Sequence, residues 1–399
     1  MDRRAAGAVS AAPSLAAAAA NRGLAGLWRT RLLPRPIMEP EALEAAALKG
    51  RAVEAFGAAR EWRTPFRLLV ESLRDEAALN PLGLSMAHGQ IVGALRARIQ
   101  ATELWRAHPE ILDRPIPAPV VILGPMRSGT TRLHRLLACD PRFAHTRLFE
   151  SLSPVPARGR VLKARASLAA IRRFNPALAA IHPMAPRDAE EEFGLFSFSF
   201  GSAQFEAQWR VPRFSAWWEG ADTAWLYREF RALLQTIGWA RGEPAERPWL
   251  LKAPQFMQDL PALLQTFPDA RLICLERPLD KVVASSASLV WHQMRIQSDI
   301  VDPAWIGREW LRKTLLRIET AAAARRVRPD VPQLEVAYEA MDRDWRSEIA
   351  RIYAFLGEEL TPEVEARMAA YLAGARGHLG HRYSLAQFGL SREQVLRHA

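Results

Sequence analysis

Two cysteines in 399 residues, Cys139 and Cys274, exclude a disulfide-stapled fold. They stand far apart in apolar segments and read as buried thiols, too few for a zinc site, and no metal is expected. No uncharged run of about 18 strongly apolar residues occurs, so a membrane-spanning helix is not expected. Lysine is scarce: 5 of the 54 basic residues, the other 49 being arginine. No lysine-rich run exists, and the arginines are scattered along the chain. That scatter speaks against a nucleic-acid stripe and for local anion sites, although a compositional bias towards arginine would look the same. The net charge of +11 favours anionic partners, phosphorylated small molecules or a membrane surface among them.

What is present suits a large globular protein, with 49% hydrophobic and 24% charged residues. The start, "MDRRAAGAVSAAPSLAAAAANRG", places arginines before an alanine-rich stretch. Alanine makes a poor signal-peptide core, so residues 1–38 are expected to be a disordered tail of a cytoplasmic protein, with export as the minority reading. Residues 39–114 carry a helical pattern broken at Pro81 and Gly83. After the proline-rich hinge "RPIPAPV", residues 115–399 alternate short apolar runs with amphipathic helices. The runs "VVILG", "AHTRLF", "WLLKA", "RLICLER" and "QLEVAY" predict a parallel sheet covered on both faces. Residues near 182–240 are dense in aromatics and predict a helical insertion, mostly core, with some rings lining an apolar pocket beyond the strand ends.

Between "VVILG" and the next helix lies "PMRSGTTRL". Gly124 and Gly129 have nucleotide-loop spacing, but Thr130 stands where the lysine of a triphosphate loop belongs. A strand, a glycine turn and a helix start aim backbone N–H groups at one anion, with Arg127, Ser128, Thr130 and Thr131 adding donors. A second strand-to-helix junction, "RLICLERPLDKVVASSASL", sets Arg277 at a strand end and Ser285 eight residues on. Parallel strands open both sites on one sheet edge, which suits one ligand with two separated anionic groups.

These two motifs resemble the 5′-phosphosulfate loop and the 3′-phosphate motif of the sulfotransferases, in particular bacterial enzymes related to the tyrosylprotein and Golgi branches. The resemblance runs from about Pro119 to Leu390, includes "WLLKAPQFMQDLPALLQTFPDARLI" and "YEAM" in order, and departs at "RPLDK", where Arg-Asp-Pro is common. It implies a P-loop NTPase-like three-layer α/β fold with a central parallel sheet, plus the helical N-terminal extension. It also implies 3′-phosphoadenosine 5′-phosphosulfate (PAPS) as donor. Arg127, Ser128, Gly129, Thr130 and Thr131 match the loop, and Arg277 and Ser285 the 3′-phosphate site. Tyr338 is a candidate for the adenine or phosphate region, and Arg382, in "GHLGHRYSLAQFGLS", for closing over the 3′-phosphate.

Sulfuryl transfer needs positive charge at the leaving oxygen and an acceptor for the nucleophile's proton. Lys252, on a strand where the family places a lysine, is the candidate for the first task. For the second, the cytosolic family's Lys-Thr-His run is absent, since the chain reads Lys252-Ala253-Pro254. Glu150, at the end of the second predicted strand, stands where the tyrosylprotein branch has its glutamate. His182 is next, ahead of Glu191 and Glu192, whose acidic cluster is expected to cap a helix beginning near Asp188. The reading is therefore a PAPS-dependent sulfotransferase acting on a hydroxyl or amine of a small-molecule or lipid-like, hydrophobic or amphiphilic acceptor, with membrane contact open and no nucleic-acid partner. A nucleotide-dependent kinase or NTPase, and a non-catalytic nucleotide- or membrane-binding protein, are the alternatives. The sequence carries no signal for oligomeric state.

Overall fold

The computed structural model describes residues 14–374 and 383–397. Five strands form one sheet: β1 (Val120–Leu123), β2 (Ala144–His145), β3 (Trp249–Lys252), β4 (Arg271–Glu276) and β5 (Gln333–Ala337). Their order is β2-β3-β1-β4-β5 and every pairing is parallel. Alternate side chains serve two separate cores. Val121, Leu123, Leu251 and Leu272 face one, and Val120, Ile122, Leu250, Ile273 and Val336 face the other. A sheet buried on both faces explains why the strands read as continuous apolar runs.

The N-terminal helices are α1 (Leu15–Arg29), α2 (Pro40–Leu48), α3 (Arg63–Asp75) and α4 (Pro81–Ala107). The first lies in the stretch expected to be disordered. Alanine has the highest helix propensity, Ser14 caps the first turn by accepting from Ala17 N, and Ala17, Ala20 and Leu24 pack against Leu82, Ile296 and Phe174. Composition hid the helix because its apolar face is built from small residues.

Between β1 and β3 come α5 (Thr130–Leu137), α6 (Leu148–Leu152), α7 (Arg160–Phe174), α8 (Pro176–Ile181), α9 (Phe193–Ser197), α10 (Gln204–Gln208), α11 (Pro212–Glu219) and α12 (Ala224–Arg241). Two expectations fail here. The second strand ends at His145, and "LFESL" is helical, because Glu150 turns back to accept from Arg147 N at 2.9 Å and closes a capping box. No helix starts near Asp188 either, and the next one begins at Phe193. The aromatic insertion is core: Phe196, Phe200, Phe205, Trp209 and Trp218 are buried and their rings pack on one another or on neighbouring rings.

The remaining helices are α13 (Leu260–Thr266), α14 (Leu279–Gln297), α15 (Pro303–Val327), α16 (Tyr338–Arg343), α17 (Trp345–Leu356), α18 (Pro362–Gly374) and α19 (Arg392–Leu396). The start of α4 is locked to the end of α14. Asn80 Nδ2 donates to Ile296 O at 3.1 Å, and a Cβ on Gly83 would fall 2.0 Å from Gln297 O. Among the described residues, no helix is long and apolar enough to cross a membrane.

Beneath the insertion, Asp259 is buried, accepting from Gln255 Nε2 at 3.0 Å and Tyr227 Oη at 3.4 Å. Burial pushes its carboxyl up to about 7. The folded state thus holds a proton that the unfolded state releases near 3.8, and this contribution is lost as pH rises through about 7. Asp259→Asn removes the titration. Urea denaturation should find the variant gaining stability relative to wild type across that window, by roughly 4 kcal/mol at most.

Candidate active site

The turn after β1 is wound for an anion. Arg127 and Gly129 have φ of 72° and 94°, and a Cβ on Gly129 would lie 2.7 Å from the Tyr338 ring. Gly129 caps α5, so the free N–H groups of that helix, with its dipole, open at the turn. Ser128 is fully buried and its hydroxyl has no partner. Arg127 Nε donates to Ser285 Oγ at 3.0 Å, while Arg277 Nη1 donates to Arg127 O at 2.6 Å. Arg277 stacks over the Tyr338 ring at 4.1 Å. The loop and the strand-end motif are therefore one site, as their placement on a common sheet edge predicts, and Ser286 Oγ adds a bond to Met126 O at 3.0 Å.

Burial pushes the Arg127 guanidinium below its ordinary value, and Arg277 pushes it the same way. Neither arginine forms an ion pair with a carboxylate among the described residues, whereas the two buried arginines, Arg98 and Arg317, both do. Two adjacent guanidiniums without a carboxylate ion pair are stabilised by an anion between them.

Lys252 ends β3, next to β1, and its side chain is buried. Nζ donates to Thr131 Oγ1 at 3.0 Å and is ion-paired with Glu191. Its backbone N donates to Glu192 Oε2 at 2.9 Å. Burial pushes the Glu192 carboxyl well up, and its Oε1 has no partner. Glu190 turns the other way, to His182 Nε2 at 3.1 Å and Arg135 Nη2 at 3.4 Å. Burial opposes ionisation there, but His182 and Arg135 prevail and hold the Glu190 carboxyl at about 2. Three consecutive acids thus have three destinations, and none caps a helix through its side chain.

The sheet edge brings together Arg127, Ser128, Gly129, Thr130, Thr131, Lys252, Arg277, Ser285 and Tyr338. Glu150 is left out. It is buried and clamped by Arg241, which also donates to His145 O at 2.8 Å, and it does not line the cavity. A carboxylate that does not line the cavity cannot reach an acceptor bound there. Glu150→Gln should therefore act on stability: removing one partner of a buried pair costs about 3–5 kcal/mol. The check is chemical denaturation alongside kcat of the folded fraction, which should stay closer to wild type than that of Glu191→Gln. His182 does line the cavity but spends its Nε2 on Glu190. Arg382 lies outside the described residues. Tyr383, which is described, interacts electrostatically with Arg127.

Glu191, placed behind Glu150 and His182 in the sequence, is the carboxylate that the structure sets against Lys252 on the cavity lining. Its position depends on Lys252, 61 residues away, and on Ser151 Oγ, which donates to Glu191 O at 2.9 Å. The available signal was the triplet itself, since one helix start has no use for three acids.

The edge opens into a cavity of about 2270 Å³. Ligand pockets are commonly about 300–1,000 Å³, so there is room for a nucleotide and a large second molecule. Beyond the anion site its wall is largely apolar, with Val92 of α4, Leu168, Ile171 and Phe174 of α7, Leu178 of α8 and Phe193. Most insertion aromatics are absent from that wall, so the apolar character comes from aliphatic helices.

Comparison with curated proteins found no match. A family model described as "Sulfotransferase family" matches residues 119–362, which include every strand of the sheet. The crystal structure of sulfotransferase STF1 from Mycobacterium tuberculosis is similar over 91% of this chain and 99% of its own, at 29% identity and a TM-score of 0.79. Sulfotransferase STF9 from Mycobacterium avium is similar over 91% of this chain and 95% of its own, at 24% identity and a TM-score of 0.78. The overlap with the Mycobacterium tuberculosis structure, 91% of this chain, extends well beyond residues 119–362. With its parallel sheet, its glycine turn and this match over most of the chain, the protein belongs to the sulfotransferase family.

Proposed function

We propose that this protein moves the sulfuryl group of PAPS to a hydroxyl or amine of an amphiphilic small molecule. The observation that carries the reading is Lys252, bonded to Thr131 and Glu191, beside two guanidiniums that lack carboxylate partners. PAPS supplies an activated sulfuryl group between a 5′-phosphate and the acceptor. The residues fit it: the unpartnered Ser128 hydroxyl, the Gly129 turn and Arg127 would hold the phosphosulfate, and Arg277 with Ser285 the 3′-phosphate.

In this arrangement the acceptor oxygen bonds to sulfur as the bond from sulfur to the bridging oxygen breaks. Lys252 Nζ stabilises the negative charge growing on that bridging oxygen. Glu191 takes the acceptor's proton, and 3′,5′-adenosine bisphosphate leaves. The ion pair between Lys252 and Glu191 places both groups at one point, the lysine for the leaving side and the carboxylate for the entering side. The apolar walls of α4, α7 and α8 suit the hydrocarbon part of the acceptor.

The test is incubation of the purified chain with sulfur-labelled PAPS and a panel of amphiphilic alcohols and amines. Label should move to at least one acceptor with equal release of the bisphosphate. Bisphosphate release that never depends on an acceptor would contradict the reading.

A further inference from the structure

The charge of this protein is not spread evenly. Residues 14–38 and 151–187 together contain 11 basic residues and no Asp or Glu, and without them the chain has 43 of each sign. The whole net charge of +11 is thus the charge of these two segments. Seven of the fourteen exposed large apolar side chains among the described residues lie in the same segments, Leu15 at 90% and Leu162 at 69% exposure among them.

The two segments meet in space. Ser14 Oγ at the start of α1 donates to Phe174 O at the end of α7, at 2.9 Å, and Ala17 and Leu24 share a cluster with Phe174. On α1, Leu15, Ala19, Arg22 and Arg29 follow at steps of three, four and seven and are exposed. On α7, Leu162, Arg165, Ala169 and Arg172 follow at steps of three and four and are exposed too. Such spacing puts each set on one helix face. Among the described residues none of these arginines pairs with a carboxylate, and Arg173 beside them does not either. The other side of α7, Leu168 and Ile171, lines the cavity, and exposed Met86 and Leu152 stand on the same lining.

We infer that α1 and α7 form a docking face for an anionic phospholipid bilayer, from which the acceptor enters the cavity between α4 and α7. Basic residues interleaved with exposed leucines on paired helices suit a surface that is anionic outside and apolar beneath. A second copy of this chain would meet the face with like charge. Nucleic acid would use the arginines but leave Leu15 and Leu162 in water. The entry route rests on the amphiphile reading above; the docking face does not.

The test is flotation of the full chain with vesicles of phosphatidylcholine alone or mixed with phosphatidylglycerol, without donor or acceptor. Partition should require phosphatidylglycerol. The triple variant Arg165→Gln, Arg172→Gln, Arg173→Gln should weaken it by roughly 100-fold. The double variant Leu15→Ser, Leu162→Ser should lose the part of binding that survives high salt. Equal binding to neutral vesicles, no binding to either, or unchanged binding by the triple variant would each overturn the docking face. So would binding of a DNA duplex by a chain that ignores vesicles. Since these positions lie outside the anion site, sulfuryl transfer to a soluble acceptor should persist in the triple variant. Its loss in wild type with docking intact would instead count against the proposed function.

Discussion

Lys252→Met should lower kcat by about 10²–10³-fold while changing affinity for 3′,5′-adenosine bisphosphate far less. The reason lies in where Nζ sits. It is buried at the end of β3, held by Thr131 Oγ1 at 3.0 Å and by Glu191, next to the turn that carries Arg127. Its charge is directed at an oxygen that becomes negative only as the sulfur bond breaks, so its removal affects the transition state more than the bound donor. Methionine keeps the volume of the side chain. Lys252→Arg should not restore the rate, because a planar fork cannot replace a compact ammonium in a space closed on Thr131 and Glu191. Single-turnover transfer and bisphosphate titration on the same preparations separate the two effects. Equal losses in rate and affinity would make Lys252 a binding residue only.

Glu191→Gln should lower kcat by about 10²–10⁴-fold, the usual worth of a positioned base. Glu192→Gln is the control. That carboxylate bonds the backbone N of Lys252 at 2.9 Å and does not line the cavity, so its replacement should lower kcat far less. A Glu191→Gln enzyme that keeps its rate would return the proton to another group.

The parts legible in the sequence are local in the chain. The glycine turn, Arg277 with Ser285, and Lys252 at a strand end each lie within a strand-to-helix junction, and parallel pairing then sets all the junctions on one edge. The parts misread are fixed by distant partners. Glu150 looks available in sequence, yet Arg241 takes it from 91 residues away. Glu191 looks like one acid in a cap, and its ion pair with Lys252 spans 61 residues of sequence. The α1 helix looks like low complexity because its buried face is alanine, and it needs Leu82, Ile296 and Phe174 as partners. Which of the aromatics are core and which line the cavity was not legible: Trp209, Trp218 and Phe205 are packed in the core, whereas Phe193 and Phe198 reach the lining.

The central claim is that the turn after β1 and Arg277 after β4 hold the two phosphates of one nucleotide. Calorimetric titration of the purified chain with 3′,5′-adenosine bisphosphate, repeated on Arg277→Ala and with magnesium-ATP, tests it most directly. Binding of the bisphosphate in preference to magnesium-ATP, weakened at least about 10-fold by Arg277→Ala, is the predicted result. Failure to bind the bisphosphate, or preference for magnesium-ATP, would contradict it.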